Sequence, residues 1–221
     1  MLQQTRVETA IPYYQRFLER FPTARELAAA EASEVLSLWA GLGYYRRARM
    51  LQLAAQSVVA EHGGELPATP DALASLPGVG SYTSGAVASI AFGARVPAVD
   101  GNVLRVLSRW HALRGDPRES NTKKTIEASA RAHVEAGDRA GDWNQSLMEL
   151  GATVCLPRRP LCLACPVRPH CEASARGLTE KIPAARKRRA TVRVRHAAAL
   201  VERRGALLMS RRPEGSGWLA S

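Results

Sequence analysis

Apolar residues recur at intervals of three and four over most of the first 150 positions, and this periodicity predicts consecutive helices. In the first predicted helix these residues are Val7, Ala10, Ile11, Tyr14, Phe17, Leu18 and Phe21. Pro12 allows a break in that helix. Later helix starts are indicated by the capping side chains of Thr23 and Ser33, and by Thr69 followed by Pro70. No alternating strand pattern occurs before residue 190, so the first part of the chain is predicted to be all-α.

The chain changes character after residue 175. Residues 176–190, RGLTEKIPAARKRRA, are poor in apolar side chains and rich in arginine and lysine. They fit a basic linker, either a solvated tether or an arm that contacts phosphates. Beyond it, TVRVRHAAALV and GALLMSRR predict two short strands around Arg203-Arg204-Gly205. Two strands cannot bury a core, so residues 191–221 are expected to be the start of a truncated second domain.

Composition and charge narrow the class of protein. The chain has 221 residues, of which 46% are apolar, and it can therefore bury its own core. No run approaches the roughly 18 apolar residues of a membrane span, and no secretory signal is apparent, so a cytoplasmic protein is expected. Thirty-one Lys and Arg against 20 Asp and Glu give a net charge of +11. Such an excess indicates a polyanionic partner, most often nucleic acid.

The stretch LPGVGSYTSGAVASIAFG, residues 76–93, predicts a helix–hairpin–helix. Gly78-Val79-Gly80 forms the tight turn, and the second helix begins near Ser81. The free N–H groups of the turn and of the new helix then make an anion site. With Val79 packed inward, this site suits a DNA phosphate and carries no sequence information. An ordinary corner between two helices is the alternative.

All four cysteines fall in one short segment, residues 155–171, with the spacing C-x6-C-x2-C-x5-C. They are Cys155, Cys162, Cys165 and Cys171. So tight a cluster in a chain expected to be cytoplasmic indicates a metal rather than disulfides. Structural zinc usually takes two short cysteine pairs, and only one is present here. Four thiolates in one compact loop favour a [4Fe–4S] cluster, although the spacing is not that of the ferredoxins. Zinc remains the alternative.

Two further segments carry candidate chemistry. Residues 97–110, PAVDGNVLRVLSRW, place Asp100 at the start of a helix, where a negative charge is stabilised. Asp100 is either a simple N-cap or the fixed anion that cleavage of an N-glycosidic bond requires, because the sugar becomes cationic. Residues 41–49, GLGYYRRAR, interleave tyrosines and arginines at a helix start. They suit either a wedge into a base stack with phosphate contacts or two core tyrosines.

The helix–hairpin–helix, the later Val99-Asp100-Gly101-Asn102 and the cysteine spacing, in this order, resemble the endonuclease III superfamily of DNA glycosylases. More closely, MLQQTRV, WAGLGYYRRAR, LPGVGSYTSGA and VDGNVLRV are similar to the MutY family of adenine DNA glycosylases. The resemblance covers nearly the whole chain. It implies the helix–hairpin–helix glycosylase fold over residues 1–175 and a [4Fe–4S] cluster on the four cysteines. It also implies that residues 191–221 are the first strands of a Nudix-like α/β domain that recognises 8-oxoguanine.

The resemblance further implies an activity, carried out by a monomer on double-stranded DNA. Adenine mispaired with 8-oxoguanine or guanine is flipped into a pocket between the helical subdomains, and its N-glycosidic bond is hydrolysed. Asp100 is expected to stabilise the cationic sugar, assisted by Tyr82 and Asn102. Bifunctional superfamily members carry a lysine at position 82 that attacks the sugar as a Schiff base. A phenol cannot do this, so a monofunctional glycosylase is expected.

The same resemblance assigns a set of DNA contacts. The segment of residues 2–5 and a tyrosine of GLGYY are expected to fill the gap left by the flipped base and to contact the opposing base. The hairpin and an arginine of the aromatic segment are expected to hold the backbone. The residues concerned are Leu2, Gln3, Gln4, Thr5, Tyr44, Arg47, Gly78, Val79 and Gly80.

The chain departs from the family pattern at its start. The family's general-acid glutamate stands two residues before the methionine of MLQQT, which here is Met1, so that glutamate is expected just upstream of Met1. Glu8, Glu19 and Glu34 do not fit the motif. The chain as written is therefore expected to bind DNA but to excise adenine poorly. Two alternatives remain: a non-catalytic DNA-binding protein scaffolded by a cluster or zinc, and an endonuclease III-like pyrimidine glycosylase with lyase activity.

Overall fold

The computed structural model describes residues 1, 5–184 and 201–208, and its architecture there is helical, as predicted. The helices are α1 (Val7–Arg20), α2 (Ala24–Ala29), α3 (Ala32–Trp39), α4 (Arg46–Glu61), α5 (Pro70–Ser75), α6 (Ser81–Phe92), α7 (Gly101–Trp110), α8 (Ser120–Ala136), α9 (Ala140–Thr153) and α10 (Glu172–Ala175). Two short 3₁₀ turns, Cys162–Ala164 and Arg168–His170, lie between α9 and α10. Among the described helices, none has the length and apolar content needed to cross a membrane.

Local sequence signals explain several of the helix starts. Thr23 and Glu26 form a capping box, in which each side chain bonds the other residue's backbone N–H, at 3.3 and 2.9 Å. Thr69 caps α5 by accepting a hydrogen bond from the backbone N–H of Ala72 at 3.3 Å. The cap predicted at Ser33 is wrong. Helix α3 already begins at Ala32, and its N-cap residue makes no side-chain hydrogen bond.

Helix α1 continues through Pro12, so the break that the sequence allowed does not occur. Proline in a helix interior removes one backbone hydrogen bond and crowds the preceding turn. Ala10 before it and Phe17 after it are both buried. Tertiary packing therefore holds both parts of the helix in line.

The helical core consists of three groups of buried apolar side chains. The first lies among α1 to α4 and contains Phe17, Phe21, Leu27, Val35, Trp39, Leu42, Ala48 and Ala55. The second lies among α7 to α9 and contains Val103, Val106, Leu107, Ile126, Ala130, Leu147 and Leu150. The third joins α4, α5 and α6 and contains Val58, Leu73, Leu76 and Ala88. Helix α6 packs on both α5 and α9, which brings the hairpin close to the start of α7.

Residues 176–184, which the sequence assigns to the linker, pack as part of the helical unit. Ile182 is only 2% exposed, and its carbonyl oxygen accepts a hydrogen bond from Nε of Arg109 at 2.7 Å. The compact unit accordingly runs from Met1 to Arg186, beyond the boundary placed at residue 175. The physical reason is that Ile182 has an apolar side chain to bury, which the basic composition of the segment conceals.

Residues Lys187–Ser221 form a separate unit, of which residues 201–208 are described. Strands β1 (Glu202–Arg203) and β2 (Ala206–Leu207) pair in antiparallel fashion across a turn. Arg204 and Gly205 have φ of +54° and +78°, as two-residue hairpins of type I′ require. The rest of the two predicted strands lies outside the described residues, and the Nudix-like domain stays a prediction.

Candidate functional site

Asp100 is the N-cap residue of α7, and both of its carboxylate oxygens are held. Oδ1 accepts a hydrogen bond from the backbone N–H of Val103 at 2.7 Å. Oδ2 accepts one from Nδ2 of Asn102 at 3.1 Å. The positive end of the helix dipole stabilises the negative charge at this position. The structure thus brings Asp100 and Asn102 together in a fixed orientation.

Tyr82 lies in the first turn of α6, on the wall of the cavity that also contains Asp100. Its hydroxyl donates a hydrogen bond to Sδ of Met148 at 3.2 Å. Burial raises the pKa of the Tyr82 hydroxyl, and the negative charge of Asp100 raises this pKa further. Tyr82 therefore keeps its proton near pH 7, and in this structure that O–H is donated to Met148.

A cavity of about 730 Å³ opens between α1, α6 and the start of α7. Its lining residues are Met1, Val7, Ala10, Ile11, Tyr14, Tyr82, Thr83, Ala86, Asp100 and Asn102. Helix α1 contributes an apolar wall in which Tyr14 is 55% exposed. Asp100 is the single carboxylate among these lining residues. An apolar wall opposite one fixed carboxylate suits a flat, neutral ring that is bonded to a group which becomes positively charged.

Arg105 connects this site to the cysteine loop, a link that the sequence analysis missed. Its Nη2 donates to Oδ1 of Asn102 at 2.9 Å and to the carbonyl oxygen of Gly151 at 2.6 Å. Its Nε donates to the carbonyl oxygen of Cys155 at 2.8 Å. Because Oδ1 of Asn102 accepts from Arg105, the amide must turn its Nδ2 toward Asp100. Arg105 therefore sets the orientation of the group that holds the carboxylate.

The four predicted metal-binding cysteines are brought together. All four are half-buried, and all line one narrow, largely apolar cavity. Burial raises the pKa of the Cys165 thiol. Within the described residues, no group of three or more His, Cys, Asp or Glu side chains is arranged to hold a metal ion.

Arg109 is only 2% exposed, and its guanidinium donates several hydrogen bonds to the cysteine loop. Its Nη1 donates to Sγ of Cys155 at 3.3 Å and to the carbonyl oxygen of Leu156 at 2.6 Å. Its Nη2 donates to the carbonyl oxygen of Pro157 at 3.2 Å. Sγ of Cys171 donates back to the Arg109 carbonyl oxygen at 3.6 Å. One buried guanidinium thus contacts the first cysteine, and its own backbone contacts the last.

The hairpin has the predicted turn. Gly78 has φ of +75°, and Gly80 is the N-cap of α6 with φ of −94° and no side-chain hydrogen bond. Val79 is half-buried and packs against the core group that contains Leu73, as predicted. A helix start without a capping side chain, preceded by glycines, is compatible with an incoming anion.

Replacing Gly78 by alanine is expected to lower the free energy of unfolding by about 1–3 kcal/mol. The reason is that φ of +75° disfavours a side chain, and a Cβ would lie 2.5 Å from Cβ of Met50. Gly80→Ala is the matched control, because its φ is negative and nothing lies within 4 Å of a Cβ there. Urea unfolding followed by circular dichroism measures both. Equal losses for the two variants would contradict this explanation.

The other predicted DNA contacts divide into two kinds. Tyr44 is 63% exposed and has φ of +49°, so its ring stands outward on a strained backbone. Arg47 instead turns inward and donates to the carbonyl oxygen of Met1 at 3.0 Å and to Oγ1 of Thr5 at 3.1 Å. Leu2, Gln3 and Gln4 lie outside the described residues.

Comparisons with known proteins identify related chains. Residues 1–132 match the family described as HhH-GPD superfamily base excision DNA repair protein. The chain is 50% identical over 183 residues to the adenine DNA glycosylase of Homo sapiens, which covers 82% of this chain and 33% of the human protein. It is 35% identical over 187 residues to the adenine DNA glycosylase of Buchnera aphidicola subsp. Acyrthosiphon pisum (strain APS), covering 83% and 52%. The chain thus spans from a third to half of these relatives.

Solved structures show the same fold. A thermostable thymine-DNA glycosylase superposes with a TM-score of 0.71 at 29% identity, covering 79% of this chain and 80% of that one. A trapped covalent intermediate of endonuclease III with DNA superposes with a TM-score of 0.66 at 25% identity, with coverages of 79% and 80%. The helical fold expected from the sequence is therefore confirmed.

Proposed function

The chain belongs to the HhH-GPD superfamily of base excision DNA repair proteins, and from this premise we propose that it is the helical part of an adenine DNA glycosylase. The proposed reaction is hydrolysis of the N-glycosidic bond of adenine mispaired with 8-oxoguanine or guanine in double-stranded DNA. The observation that carries the proposal is Asp100, a carboxylate fixed by two hydrogen bonds on the wall of a cavity with room for a flipped base. Relatives at 35–51% identity that are named adenine DNA glycosylase support the choice of base.

The cavity accounts for the binding step. A base inside a duplex is inaccessible, so the enzyme must extrude it into a pocket at a cost of a few kcal/mol. The exposed apolar face of α1, with Val7, Ile11 and Tyr14, offers surface on which a purine can stack. The net charge of +11 and the uncapped start of α6 provide attraction for the phosphates.

The chemical step depends on charge. As the bond to adenine breaks, the sugar gains positive charge, and a preorganised anion lowers the energy of that state. Each oxygen of Asp100 accepts one hydrogen bond and has further lone pairs to offer toward the cavity. Asp100 is thus the proposed stabilising anion, and Tyr82 is a neutral donor beside it. The proton for the departing adenine is proposed to come from the glutamate expected upstream of Met1.

Tyr82 supports hydrolysis without strand cleavage. A Schiff base on a side chain requires the primary amine of a lysine, and the cavity's described lining contains no lysine. This composition disfavours the alternative of a pyrimidine glycosylase with lyase activity.

The four cysteines are proposed to hold a [4Fe–4S] cluster rather than zinc. Zinc binds four ligands at about 2.3 Å, so its thiolates must converge on one point. In a cubane each thiolate binds a different iron, and the four cysteines line one common cavity here. The hydrogen bond from Arg109 Nη1 to Cys155 Sγ holds the first of the four sulfurs in place. When bound, the cluster supplies structural cross-linking of the loop.

Single-turnover excision is the direct test of the proposed function. The substrate is a duplex with adenine opposite 8-oxoguanine, and the matched control has adenine opposite thymine. The chain as written is assayed beside one extended upstream of Met1. Release of adenine by the extended chain, from the mispaired duplex alone, is the expected result. Equal release by both chains would show that the acid lies elsewhere, and binding without release by either would support the non-catalytic alternative.

Metal content distinguishes the two metal hypotheses. The purified protein is expected to be brown, to absorb near ~400 nm and to contain about four irons per chain. Cys165→Ser is expected to lose most of the iron and the absorbance together. Ser37→Cys on α3 is the control for a changed cysteine count, since it lies far from the loop in sequence. A colourless protein containing one zinc per chain would overturn the cluster proposal.

A further inference from the structure

We infer that Asn144 and Gly85 are positioning residues for Asp100, because together they clamp the backbone segment of residues 96–98 that leads into the catalytic carboxylate. The inference rests on the proposed function, and it adds to that function the way in which the anion is kept in place. Neither residue lines the cavity. Both act through the backbone between α6 and α9.

Asn144 is a fully buried amide on α9, and its hydrogen bonds go to the segment of residues 96–98 and to α6 beside it. Its Oδ1 accepts a hydrogen bond from the backbone N–H of Ala98 at 2.9 Å. Its Nδ2 donates to the carbonyl oxygen of Val96 at 3.0 Å and to Oγ of Ser89 on α6 at 2.8 Å. The Asn144 side chain therefore supplies the hydrogen bonds that a helix or sheet would otherwise give to this loop. It also links the loop to both α6 and α9.

Gly85 holds the same segment from the opposite side. It is buried on α6, and a Cβ there would overlap the carbonyl oxygen of Pro97 and lie 3.5 Å from Cα of Ala98. The helix and the loop can pack this closely only because the side chain is absent. The loop backbone is thus confined between a hydrogen-bonding side chain on α9 and a bare helix surface on α6.

Gly151 continues this arrangement into α7. A Cβ on Gly151 would lie 2.6 Å from Cβ of Asn102 and 3.1 Å from its Cα. The residue that donates to Asp100 is therefore pressed directly on α9. The segment before Asp100 and the residue after Gly101 are both set by the same helix.

The clamped segment of residues 96–98 is separated from Asp100 by a single residue of the chain. Ala98 is 0% exposed and precedes Asp100 by two residues. The Asp100 backbone continues directly from this segment, so a shift of residues 96–98 moves the Asp100 Cα relative to residues 102 and 103, whose groups hold its oxygens. Misplacement of a catalytic group by about 1 Å can cost on the order of 10²-fold in rate. Asn144 and Gly85 therefore act on the transition state, beyond their contribution to folding.

Affinity for two abasic-site analogues separates positioning from folding. One duplex carries a neutral tetrahydrofuran at the adenine position and the other a cationic pyrrolidine, both opposite 8-oxoguanine. The ratio of the two dissociation constants measures how well the anion meets a positive sugar analogue. In Asn144→Ala and Gly85→Ala this ratio is expected to fall about tenfold or more, with affinity for the neutral duplex changed less than about threefold. The measurement uses the chain as written and needs no turnover.

Two matched variants serve as controls. Gln52→Ala removes another buried amide, which donates to the carbonyl oxygens of Leu27 and Ala30 at 3.4 and 2.7 Å, far from the cavity. Gly137→Ala adds a methyl where the nearest atom lies at 3.9 Å. Both are expected to keep the wild-type ratio. If Asn144→Ala does not fold, the ratio of dissociation constants measured for Gly85→Ala tests the inference by itself.

The outcomes distinguish this inference from the proposed function. If the wild-type chain prefers the cationic duplex and the Gly85 variant keeps that preference, the clamp is structural only and the inference is overturned. If the wild-type chain binds the two duplexes equally, Asp100 does not stabilise a sugar cation. In that case the proposed function itself is wrong, whatever the two variants do. If a variant loses affinity for both duplexes by the same factor, the inference is also overturned, since an equal loss indicates a general loss of folding.

Discussion

Replacing Asp100 by asparagine is expected to reduce the single-turnover rate of adenine excision by about 10³-fold or more, with little change in affinity for DNA. Removing a single preorganised group that stabilises transition-state charge typically costs 10²–10³-fold, and here the lost group carries a full charge. Asparagine preserves the shape and can still accept from the backbone N–H of Val103. The fold is therefore expected to survive. The loss combines the missing charge with the missing hydrogen bond from Asn102, because the NH2 group of the new amide faces the Nδ2 donor of Asn102.

Asp138→Asn is the matched control, because it removes one exposed carboxylate at the start of the loop before α9. It is expected to excise at the wild-type rate. The assay uses whichever form of the chain releases adenine, and binding is followed on the neutral abasic duplex. A loss below about tenfold in Asp100→Asn would mean that Asp100 is only a helix cap.

Replacing Arg109 by methionine is expected to lower the free energy of unfolding by about 3–5 kcal/mol. The side chain is 2% exposed and donates to the carbonyl oxygens of Leu156, Pro157 and Ile182. Methionine fills part of the volume and leaves the buried Ile182 carbonyl and the two partly buried carbonyls of Leu156 and Pro157 without this donor. Urea unfolding of the metal-loaded protein measures the loss, which is a large part of the stability of a typical domain.

Arg131→Met is the control for Arg109. Arg131 on α8 is more than half exposed and makes a surface ion pair with Glu135 at 4.0 Å. Such pairs contribute about 0–1 kcal/mol, so this variant is expected to unfold close to the wild type. Arg109→Lys is expected to fall between the two, because an ammonium group cannot reach all the acceptors of a planar guanidinium. Wild-type stability in Arg109→Met would show that the clamp on the loop is dispensable.

The parts of the site that the sequence predicted all depend on local rules. An acid before a helical run predicts Asp100 at a helix start, and the need for positive φ predicts Gly78 in the turn. The cysteines were grouped because they lie within 17 residues. Each of these signals spans one or two turns of chain, and periodicity with composition is sufficient to find it.

The parts that the sequence missed depend on contacts between distant segments. Arg105 and Arg109 bond groups 46 to 73 residues away in the chain, and Asn144 bonds Ala98 across 46 residues. One signal was available. The two arginines lie four residues apart on α7 among Val106 and other buried residues, and charge on an apolar face indicates a buried partner. Which partner it is depends on how α9 and the cysteine loop pack, and periodicity does not report that.

The double attachment of the cysteine loop to Arg109 also bears on how the protein responds to cleavage. The Arg109 guanidinium bonds to both Cys155 and Ile182. Both ends of the 26-residue segment between them are therefore attached to the same buried side chain. A protease that cuts a single exposed bond near Leu163, which is 86% exposed, leaves each fragment with its own anchor. The nicked protein then migrates as one species under native conditions and separates into two fragments only when denatured.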